Sequence, residues 1–179
     1  MLLVIAATEP ELRGARGVET FVCGIGPVDA AAATARRLAE HRPDTLLHVG
    51  IAGCRRGCGL EPGALVLGAE SVYSDGAGRL VSSRLEPDTG LLARARDVLP
   101  EARMLVIGTS ARVGGTSGCD VEGMEGFAVL RAAALAGVPA VELRAISNEI
   151  EEADRTRWQF DDALAALEQA VARLVAALA

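Results

Sequence analysis

Short apolar runs alternate along the chain with longer segments in which apolar residues recur at helical spacing. A continuous run such as Leu2-Leu3-Val4-Ile5-Ala6-Ala7 is typical of a strand that is buried on both faces of a sheet. Runs of this kind, bounded by residues that favour turns, predict strands over residues 2–7, 18–23, 46–51, 64–72, 104–107 and 140–147.

Helices are predicted between these strands. Pro27 suits the first turn of a helix that Pro43 terminates, and Gly137 followed by Pro139 ends another helix. The last predicted helix has a one-sided apolar face made of Phe160, Leu164, Leu167, Val171, Leu174, Val175 and Leu178. The predicted helices cover residues 27–42, 89–99, 124–136 and 160–178.

Strands that alternate with helices predict an α/β fold, in which a mixed, mostly parallel central sheet lies between helix layers. No repeat, linker or low-complexity tail interrupts the pattern, so we expect residues 1–179 to form a single domain. In such sheets, ligands bind beyond the carboxyl ends of the strands. The segments that follow the predicted strands are residues 8–11, 24–27, 50–53, 109–117 and 147–148.

The composition excludes several functions. Three Phe, one Tyr and one Trp among 179 residues are too few for a surface that stacks nucleic-acid bases. A net charge of −6 argues against a nucleic-acid partner held through its phosphates. All 18 basic residues are Arg, which excludes a Schiff-base lysine and a Walker-type phosphate loop. No run is long enough for a membrane span, so we expect no membrane partner.

The four cysteines, Cys23, Cys54, Cys58 and Cys119, are expected to be reduced thiols in the cytoplasm. Cys54 and Cys58 lie in the motif Cys-Arg-Arg-Gly-Cys, which lacks a second Cys/His pair and carries two adjacent arginines that repel a cation. We therefore expect two incidental thiols rather than a zinc site, and we expect neither a metal nor a cofactor.

Several polar residues lie at the predicted strand ends, and most have an ordinary structural explanation when taken singly. Glu11 fits a solvated loop, and Glu125 fits a carboxylate that stabilises a helix N-terminus. Arg144, Ser147 and Asn148 form a polar cluster at the exit of an apolar strand, which is more often functional.

Two glycine motifs are similarly ambiguous. Gly24-Ile25-Gly26 opens a helix but lacks the third glycine of a dinucleotide fingerprint. The small residues of Gly50-Ile51-Ala52-Gly53 would let a flat ligand lie against the backbone, although a crowded turn would explain them equally well.

The order and spacing of the motifs are more informative than any single one. The chain resembles the purine nucleoside phosphorylase and nucleosidase superfamily and, within it, is most similar to the futalosine hydrolases. The resemblance rests on the two glycine motifs and on Val121-Glu122-Gly123-Met124-Glu125-Gly126-Phe127-Ala128-Val129, Gly137-Val138-Pro139, Glu142-Leu143-Arg144-Ala145-Ile146-Ser147-Asn148 and Trp158-Gln159-Phe160-Asp161-Asp162-Ala163-Leu164.

The resemblance implies a compacted three-layer sandwich of the nucleoside phosphorylase type and a homo-oligomer, dimeric or larger. It implies hydrolysis of the N-glycosidic bond of futalosine, which releases hypoxanthine and dehypoxanthine futalosine in the futalosine pathway of menaquinone biosynthesis. The substrate is then a small-molecule nucleoside with a 5′ carboxyphenyl tail.

The resemblance also assigns roles to individual residues. Glu11 would hold and deprotonate the attacking water, and Asn148 occupies the position at which adenine-specific nucleosidases carry an aspartate. Glu125 would accept hydrogen bonds from the ribose hydroxyls, while Met124 packs on the sugar. The other substrate-binding residues would be Ala52, Gly53, Arg144, Ser147 and Phe160, with Phe160 near the base.

Two residues separate the alternatives. The amide of Asn148 can donate to O6 or N7 of a 6-oxopurine, which disfavours a methylthioadenosine/adenosylhomocysteine nucleosidase. His48 stands where hexameric phosphorylases of the superfamily carry a phosphate-binding Arg, which disfavours phosphorolysis. A non-catalytic nucleoside-binding homologue is disfavoured because such a protein needs no water-activating Glu11.

Two connections are shorter than is usual in the superfamily. The segment from Glu11 to the second strand has no room for the expected helix and strand, and the glycine-rich segment from Thr109 to Val121 has no room for the expected helix. We expect this glycine-rich segment to line the pocket.

Overall fold

A computed structural model describes residues 1–75, 82–114 and 118–179. Its strands are β1 Leu2–Ala6, β2 Glu19–Val22, β3 Thr45–Cys54, β4 Leu65–Tyr73, β5 Arg84–Leu85, β6 Arg103–Thr109, β7 Val121–Gly123 and β8 Ala140–Glu149. Its α-helices are α1 Pro27–Glu40, α2 Thr89–Val98, α3 Gly126–Ala136 and α4 Phe160–Leu178, and short 3-10 helices span Glu9–Leu12 and Arg155–Arg157.

The strands form a mixed sheet in which parallel pairs predominate. β1 pairs in parallel with β2 and β3, β3 with β8, β4 with β6, and β6 with β7. The antiparallel pairs are β3 with β7, β4 with β5, and β4 with β8. Within the described residues, the pairing closes through β3, β8, β4, β6 and β7. The predicted α/β class and the mostly parallel, mixed sheet are confirmed.

Strand β1 is apolar throughout because both of its faces are buried. Side chains alternate between the two faces of a strand, so Leu2 and Val4 pack in the core cluster that contains α2 and α4 residues. Leu3 and Ile5 pack in a second cluster with residues of α1 and α3. The sheet is therefore covered by helices on both faces, as the predicted three-layer arrangement requires.

The predicted helices are confirmed, with differences at their ends. α1 ends at Glu40 because the residue before Pro43 is disfavoured in the helical region. α3 begins at Gly126 rather than at residue 124, because Glu125 is the N-cap residue and has a non-helical backbone conformation. Gly137 caps α3 with φ 65°, in the left-handed region that favours glycine.

Residues 9–12 explain how the short connection after β1 is made. A 3-10 helix takes the place of the longer helix that is usual in the superfamily which the sequence resembles. A capping box between Thr8 and Glu11 satisfies backbone donors at the start of this 3-10 helix. The chain then turns directly into β2, so both ends of the connection stay beside the sheet. None of the helices in the part of the chain that the structure describes has the length and apolar character needed to cross a bilayer.

Candidate active site

A cavity of about 490 Å³ lies beyond the carboxyl ends of β1, β3 and β8. This is the edge at which ligands bind in open α/β sheets, and the volume suits a small molecule. The cavity is lined by Ala7, Thr8, Pro10, Glu11, Ile25, Ile51, Ala52, Gly53, Arg112, Val113, Gly114, Glu122, Gly123, Met124, Glu125, Ser147, Asn148, Ile150, Arg155, Trp158, Phe160 and Leu164.

Nearly all of the site residues predicted from the sequence line this one cavity. They come from segments far apart in the chain and comprise Glu11, Ala52, Gly53, Met124, Glu125, Ser147, Asn148 and Phe160. Arg144 is the exception, because its side chain is completely buried and does not line the cavity.

Glu11 is held in place by three hydrogen-bond donors. The backbone N–H and the hydroxyl of Thr8 donate to Oε2 at 2.9 and 2.7 Å, and the backbone N–H of Ile51 donates to Oε1 at 3.0 Å. A carboxylate has about four acceptor positions, so these bonds leave room for a water or ligand hydroxyl. The side chain is 6% exposed, which makes Glu11 an oriented carboxylate rather than a solvated loop residue.

Glu125 is the second carboxylate of the cavity, and it is bound by a backbone donor from another element. The N–H of Gly26 donates to its Oε1 at 2.9 Å, and Nη1 of Arg144 lies 3.8 Å from Oε2. Gly26 has φ 93°, which lets the chain present this N–H and begin α1 at once. The Gly24-Ile25-Gly26 motif therefore supplies a donor to Glu125.

Burial is the largest influence on Glu125, and it raises the pKa of this carboxyl above its ordinary value of 4.5. The charge of Arg144 and the N–H of Gly26 act in the opposite direction, while the charge of Glu11 adds to the increase. Glu125 occupies the N-cap position of α3, but its side chain caps none of the N–H groups of the helix and is directed to Gly26 instead.

Arg144 lies beneath the cavity and connects its carboxylates to the core. Its Nε donates to Glu142 at 2.8 Å, and its guanidinium also contacts His48 and faces Glu125. Arg144 is fully buried and does not line the cavity, and its guanidinium faces Glu125. Its predicted role in substrate binding stays a prediction.

His48 completes this buried cluster. Its Nδ1 lies 3.0 Å from the carbonyl oxygen of Ile5, and its Nε2 contacts Nη2 of Arg144. Burial and the charge of Arg144 hold the pKa of His48 well below 6.5, so the ring is neutral. A carbonyl can only accept, so Nδ1 carries the proton and Nε2 accepts from Arg144.

Gly50 and Gly126 are required by this cluster. A Cβ at Gly50 would lie 2.1 Å from Nη1 of Arg144 and 2.9 Å from Oε1 of Glu11. A Cβ at Gly126 would lie 2.2 Å from a carboxylate oxygen of Glu142, which packs against the start of α3. The glycine motif of β3 thus makes space for buried charged side chains, in addition to any contact with a ligand.

A β-bulge explains how two adjacent residues of β8 both reach the cavity. The register between β3 and β8 shifts after the Ala52–Ile146 pair, so that Gly53 pairs with Asn148 and Ser147 is the extra residue. Without the bulge, Ser147 and Asn148 would point to opposite faces of the sheet.

The bulge also brings the amide of Asn148 into a fixed orientation. Oγ of Ser147 donates to its Oδ1 at 2.7 Å, and its Nδ2 donates to the carbonyl oxygen of Glu149 at 2.8 Å. An amide nitrogen carries two hydrogens, so one donor remains for a ligand in the cavity.

Several residues that line the cavity were given no role from the sequence. Thr8 and Ile51 orient Glu11, Glu122 is a third buried carboxylate, and Arg155 and Trp158 stand at the outer edge. Trp158 belongs to a motif of the resemblance but was given no role, and Arg155 lies in the segment between β8 and α4, which has neither a strand end nor a helical pattern. The predicted lining by the glycine-rich segment is confirmed for residues 112–114, and residues 115–117 lie outside the described residues.

Two of the cysteines, Cys23 and Cys54, are buried thiols. Burial raises the pKa of Cys23 and of Cys54 to about 12, and the neighbouring Cys58 thiol adds to the increase at Cys54. Both groups are therefore protonated thiols. In residues 1–75, 82–114 and 118–179, no three His, Cys, Asp or Glu side chains are grouped as ligands for a metal ion.

The chain is similar to known proteins over most of its length. The family model of the phosphorylase superfamily matches residues 14–179, which leaves Glu11 just outside the matched range. A futalosine hydrolase from Streptomyces coelicolor is 34% identical over 194 residues, covering 90% of this chain and 80% of that protein. A futalosine hydrolase from Thermus thermophilus is also 34% identical, covering 86% of this chain and 79% of that protein.

Solved structures confirm the fold. The native futalosine hydrolase of Helicobacter pylori superposes with a TM-score of 0.84 at 19% identity, covering 98% of this chain and 95% of that one. A methylthioadenosine/adenosylhomocysteine nucleosidase from Neisseria meningitidis superposes with a TM-score of 0.83 at 23% identity, covering 98% of this chain and 96% of that one.

Proposed function

This chain belongs to the phosphorylase superfamily and, within it, to the futalosine hydrolase family, and from that membership we propose that it hydrolyses the N-glycosidic bond of futalosine. The products are hypoxanthine and dehypoxanthine futalosine, in the futalosine pathway of menaquinone biosynthesis. The observation that carries the proposal is the pair of oriented carboxylates, Glu11 and Glu125, in one cavity with the amide of Asn148.

The two carboxylates suit the two needs of the sugar. Cleavage of an N-glycosidic bond builds positive charge on the ribose, and preoriented carboxylates stabilise that charge in a site shielded from water. Glu125, beside Met124, accepts hydrogen bonds from the ribose hydroxyls. Glu11 has free acceptor capacity with which to orient and deprotonate the attacking water, a role that contributes on the order of 10²–10⁴-fold.

Asn148 serves the departing base. Negative charge develops on the purine as the bond breaks, and the remaining amide hydrogen of Asn148 donates to O6 or N7. The hydroxyl of Ser147 donates to Oδ1 of Asn148 and thereby fixes the orientation of the amide. Nδ2, which carries the hydrogens, therefore lies on the side away from Ser147. Hypoxanthine, a 6-oxopurine, presents acceptors at both positions. Ala52, Gly53 and Phe160 line the space around the nucleoside.

Water rather than phosphate is the acceptor. His48 is neutral and buried below the cavity, so it brings no positive charge to the position at which the phosphorylases bind phosphate. Among the described lining residues, the arginines are Arg112 and Arg155, and both are exposed at the outer edge.

The test is incubation of the purified protein with futalosine, in phosphate-free buffer and in excess phosphate, with chromatography of the products. We expect hypoxanthine at the same rate in both buffers and no sugar 1-phosphate. A sugar 1-phosphate would contradict hydrolysis, and cleavage of methylthioadenosine without cleavage of futalosine would contradict the substrate.

We also propose that the protein works in the cytoplasm as a homo-oligomer, dimeric or larger. Cys23, Cys54 and Cys58 are free thiols, as is usual in a reducing compartment. Ile25 lines the cavity and is 62% exposed, and Val28, in the first turn of α1, is 77% exposed, which suits a surface covered by a second subunit. Light scattering coupled to gel filtration measures the mass, and a monomer at working concentration would contradict this part of the proposal.

A further inference from the structure

The outer part of the cavity differs in character from the inner part. Glu11 and Glu125 are buried, whereas the outer wall consists of exposed cationic and apolar side chains and one half-buried tryptophan. We use the term outer wall for Arg112, Val113, Arg155, Trp158 and Phe160, which all line the cavity. The hydrolysis proposed above uses no charged group of this wall.

The aromatic part of the outer wall is held firmly to the sheet. The ring centroids of Trp158 and Phe160 are 5.4 Å apart, and the indole N–H of Trp158 donates to the carbonyl oxygen of Glu152 at 3.0 Å. The N–H of Gln159 donates to the carbonyl oxygen of Ser147 at 2.8 Å, which ties this segment to the end of β8. The two rings thus form an apolar surface that is preformed.

Arg155 places a positive charge beside these rings. Its guanidinium carbon lies 5.6 Å from the centroid of the Trp158 ring, a distance at which cation–π attraction operates. Within the described ranges, Arg155 makes no ion pair, whereas Arg157 pairs with Glu152 at 3.4 Å and with Asp154 at 3.8 Å. In a chain with 24 acidic residues, an arginine that lines a cavity without a carboxylate partner is available to an anionic ligand.

We propose that Arg155 selects substrates whose 5′ tail ends in a carboxylate on an aromatic ring. The ring of the tail packs against Trp158, and Phe160 lies between this ring and the nucleoside. The carboxylate accepts hydrogen bonds from the guanidinium of Arg155, and Arg112, in the segment before β7, adds positive charge. This inference rests on the proposed function, because it places the sugar at Glu125 and the tail toward the outer wall. It assigns a specificity-determining residue to this chain.

The test compares Arg155→Gln with Arg157→Gln on two substrates, futalosine and its tail carboxamide, which differ only in the charge of the tail. We expect Arg155→Gln to raise KM for futalosine about tenfold with kcat nearly unchanged, because the tail contact is equal in the ground state and the transition state. KM for the carboxamide should change less than about twofold. Arg157 is an exposed arginine of the same 3-10 helix with carboxylate partners of its own, so its variant should behave as wild type on both substrates.

Equal losses on futalosine and carboxamide in Arg155→Gln, or no loss on either, would overturn the inference. Failure of the proposed function is a separate result, namely the absence of futalosine turnover by the wild-type protein. In that case, calorimetric binding of the same two compounds tests Arg155. A carboxylate preference that disappears in Arg155→Gln supports the inference, and a wild-type protein that binds both equally, or neither, overturns it.

Discussion

At the scale of single residues, the site depends on which donors each polar side chain receives. Glu11 takes its donors from Thr8 and Ile51 and remains near the cavity surface, while Glu125 takes one from Gly26 and lies over Arg144. Two identical side chains therefore differ in environment, and we assign them different roles. The amide of Asn148 is oriented in the same way, by a donor on one side and an acceptor on the other.

Glu11→Gln should lower kcat by roughly 10²-fold or more, because it removes the proposed general base but keeps the shape of the side chain. Substrate should still bind, since the ribose contacts proposed for Glu125 are intact. Steady-state kinetics and calorimetric binding measure the two effects separately. Glu9→Gln is the matched control, because Glu9 is an exposed residue of the same 3-10 helix. A variant at position 11 with near wild-type turnover would show that another group activates water.

Asn148→Asp should reverse the preference for the base. The new carboxylate would face the acceptors of hypoxanthine and, in the observed orientation, the carbonyl oxygen of Glu149. A mispaired buried polar group costs about 1–3 kcal/mol, so we expect futalosine cleavage to fall by roughly 10²-fold once both contacts are affected. The relative kcat/KM for aminofutalosine, a 6-amino nucleoside, should rise.

Asn148→Ala separates the effect of losing the amide donor from the effect of the added negative charge, because it removes the donor without adding a charge. It should slow futalosine cleavage and lower the preference for futalosine over aminofutalosine, but by less than Asn148→Asp does. An unchanged ratio of kcat/KM in Asn148→Asp would show that this side chain does not read the 6-position of the purine.

At the scale of elements, the site is built where β3 and β8 run side by side in parallel. Their register sets Gly50 opposite Arg144, and the bulge after Ala52 sets Gly53 opposite Asn148. A small residue on one strand thus faces a large polar residue on the other at both positions. This complementarity explains why the glycine motif and the Arg-Ala-Ile-Ser-Asn motif occur together, although many residues separate them.

Gly50→Ala should disrupt the site without any change of chemistry. The new Cβ would displace Arg144 and Glu11 from each other, and overpacking of this kind costs about 1–3 kcal/mol of unfolding free energy. We expect turnover to fall at least as far as in Glu11→Gln. Gly90→Ala is the control, because Gly90 lies in α2 with no atom closer than 3.5 Å to a built Cβ, and an alanine there should stabilise the helix slightly. Chemical denaturation measures the unfolding free energy of both variants, and steady-state kinetics measures their turnover.

At the scale of the whole molecule, a charged cluster is buried between the sheet and α3. Arg144 and Glu142 are completely buried, and His48 beside them is buried and neutral. One oxygen of Glu142 has no hydrogen-bond partner among the described residues, so burial of this cluster costs free energy of folding.

The neutral His48 should make the protein sensitive to acid. Its folded pKa lies well below 6.5, so its contribution to stability is fully present above pH 6.5 and is lost as the pH falls toward the folded pKa. Unfolding in that window takes up about one proton at this site. His48→Gln, whose amide offers a donor and an acceptor, should show a correspondingly weaker dependence of unfolding free energy on pH.

His41→Asn is the matched control for this measurement, because His41 is exposed and is the other histidine of the chain. Its pH dependence of unfolding should equal that of the wild type, measured by denaturant titration at pH values from 5 to 8. Equal slopes for wild type and His48→Gln would contradict a neutral, buried His48.

The sequence by itself determined most of the helices and strands, because each long element carries its own periodicity or its own terminating Gly or Pro. It also indicated most of the side chains that line the cavity, since the carboxyl ends of parallel strands meet at one edge and the polar residues follow those strands. Glu11 was predicted from its place after β1 and does lie at that edge.

Only the tertiary structure decided the features that depend on pairing between distant segments. The three residues of β7 have no periodicity of their own and become a strand through β3 and β6. The bulge in β8 turns Ser147 and Asn148 toward the same cavity, and the full burial of Arg144 places its guanidinium beside Glu125. Register, burial depth and the neighbours of an exposed Arg155 are properties of packed surfaces, and a linear pattern carries no information about them.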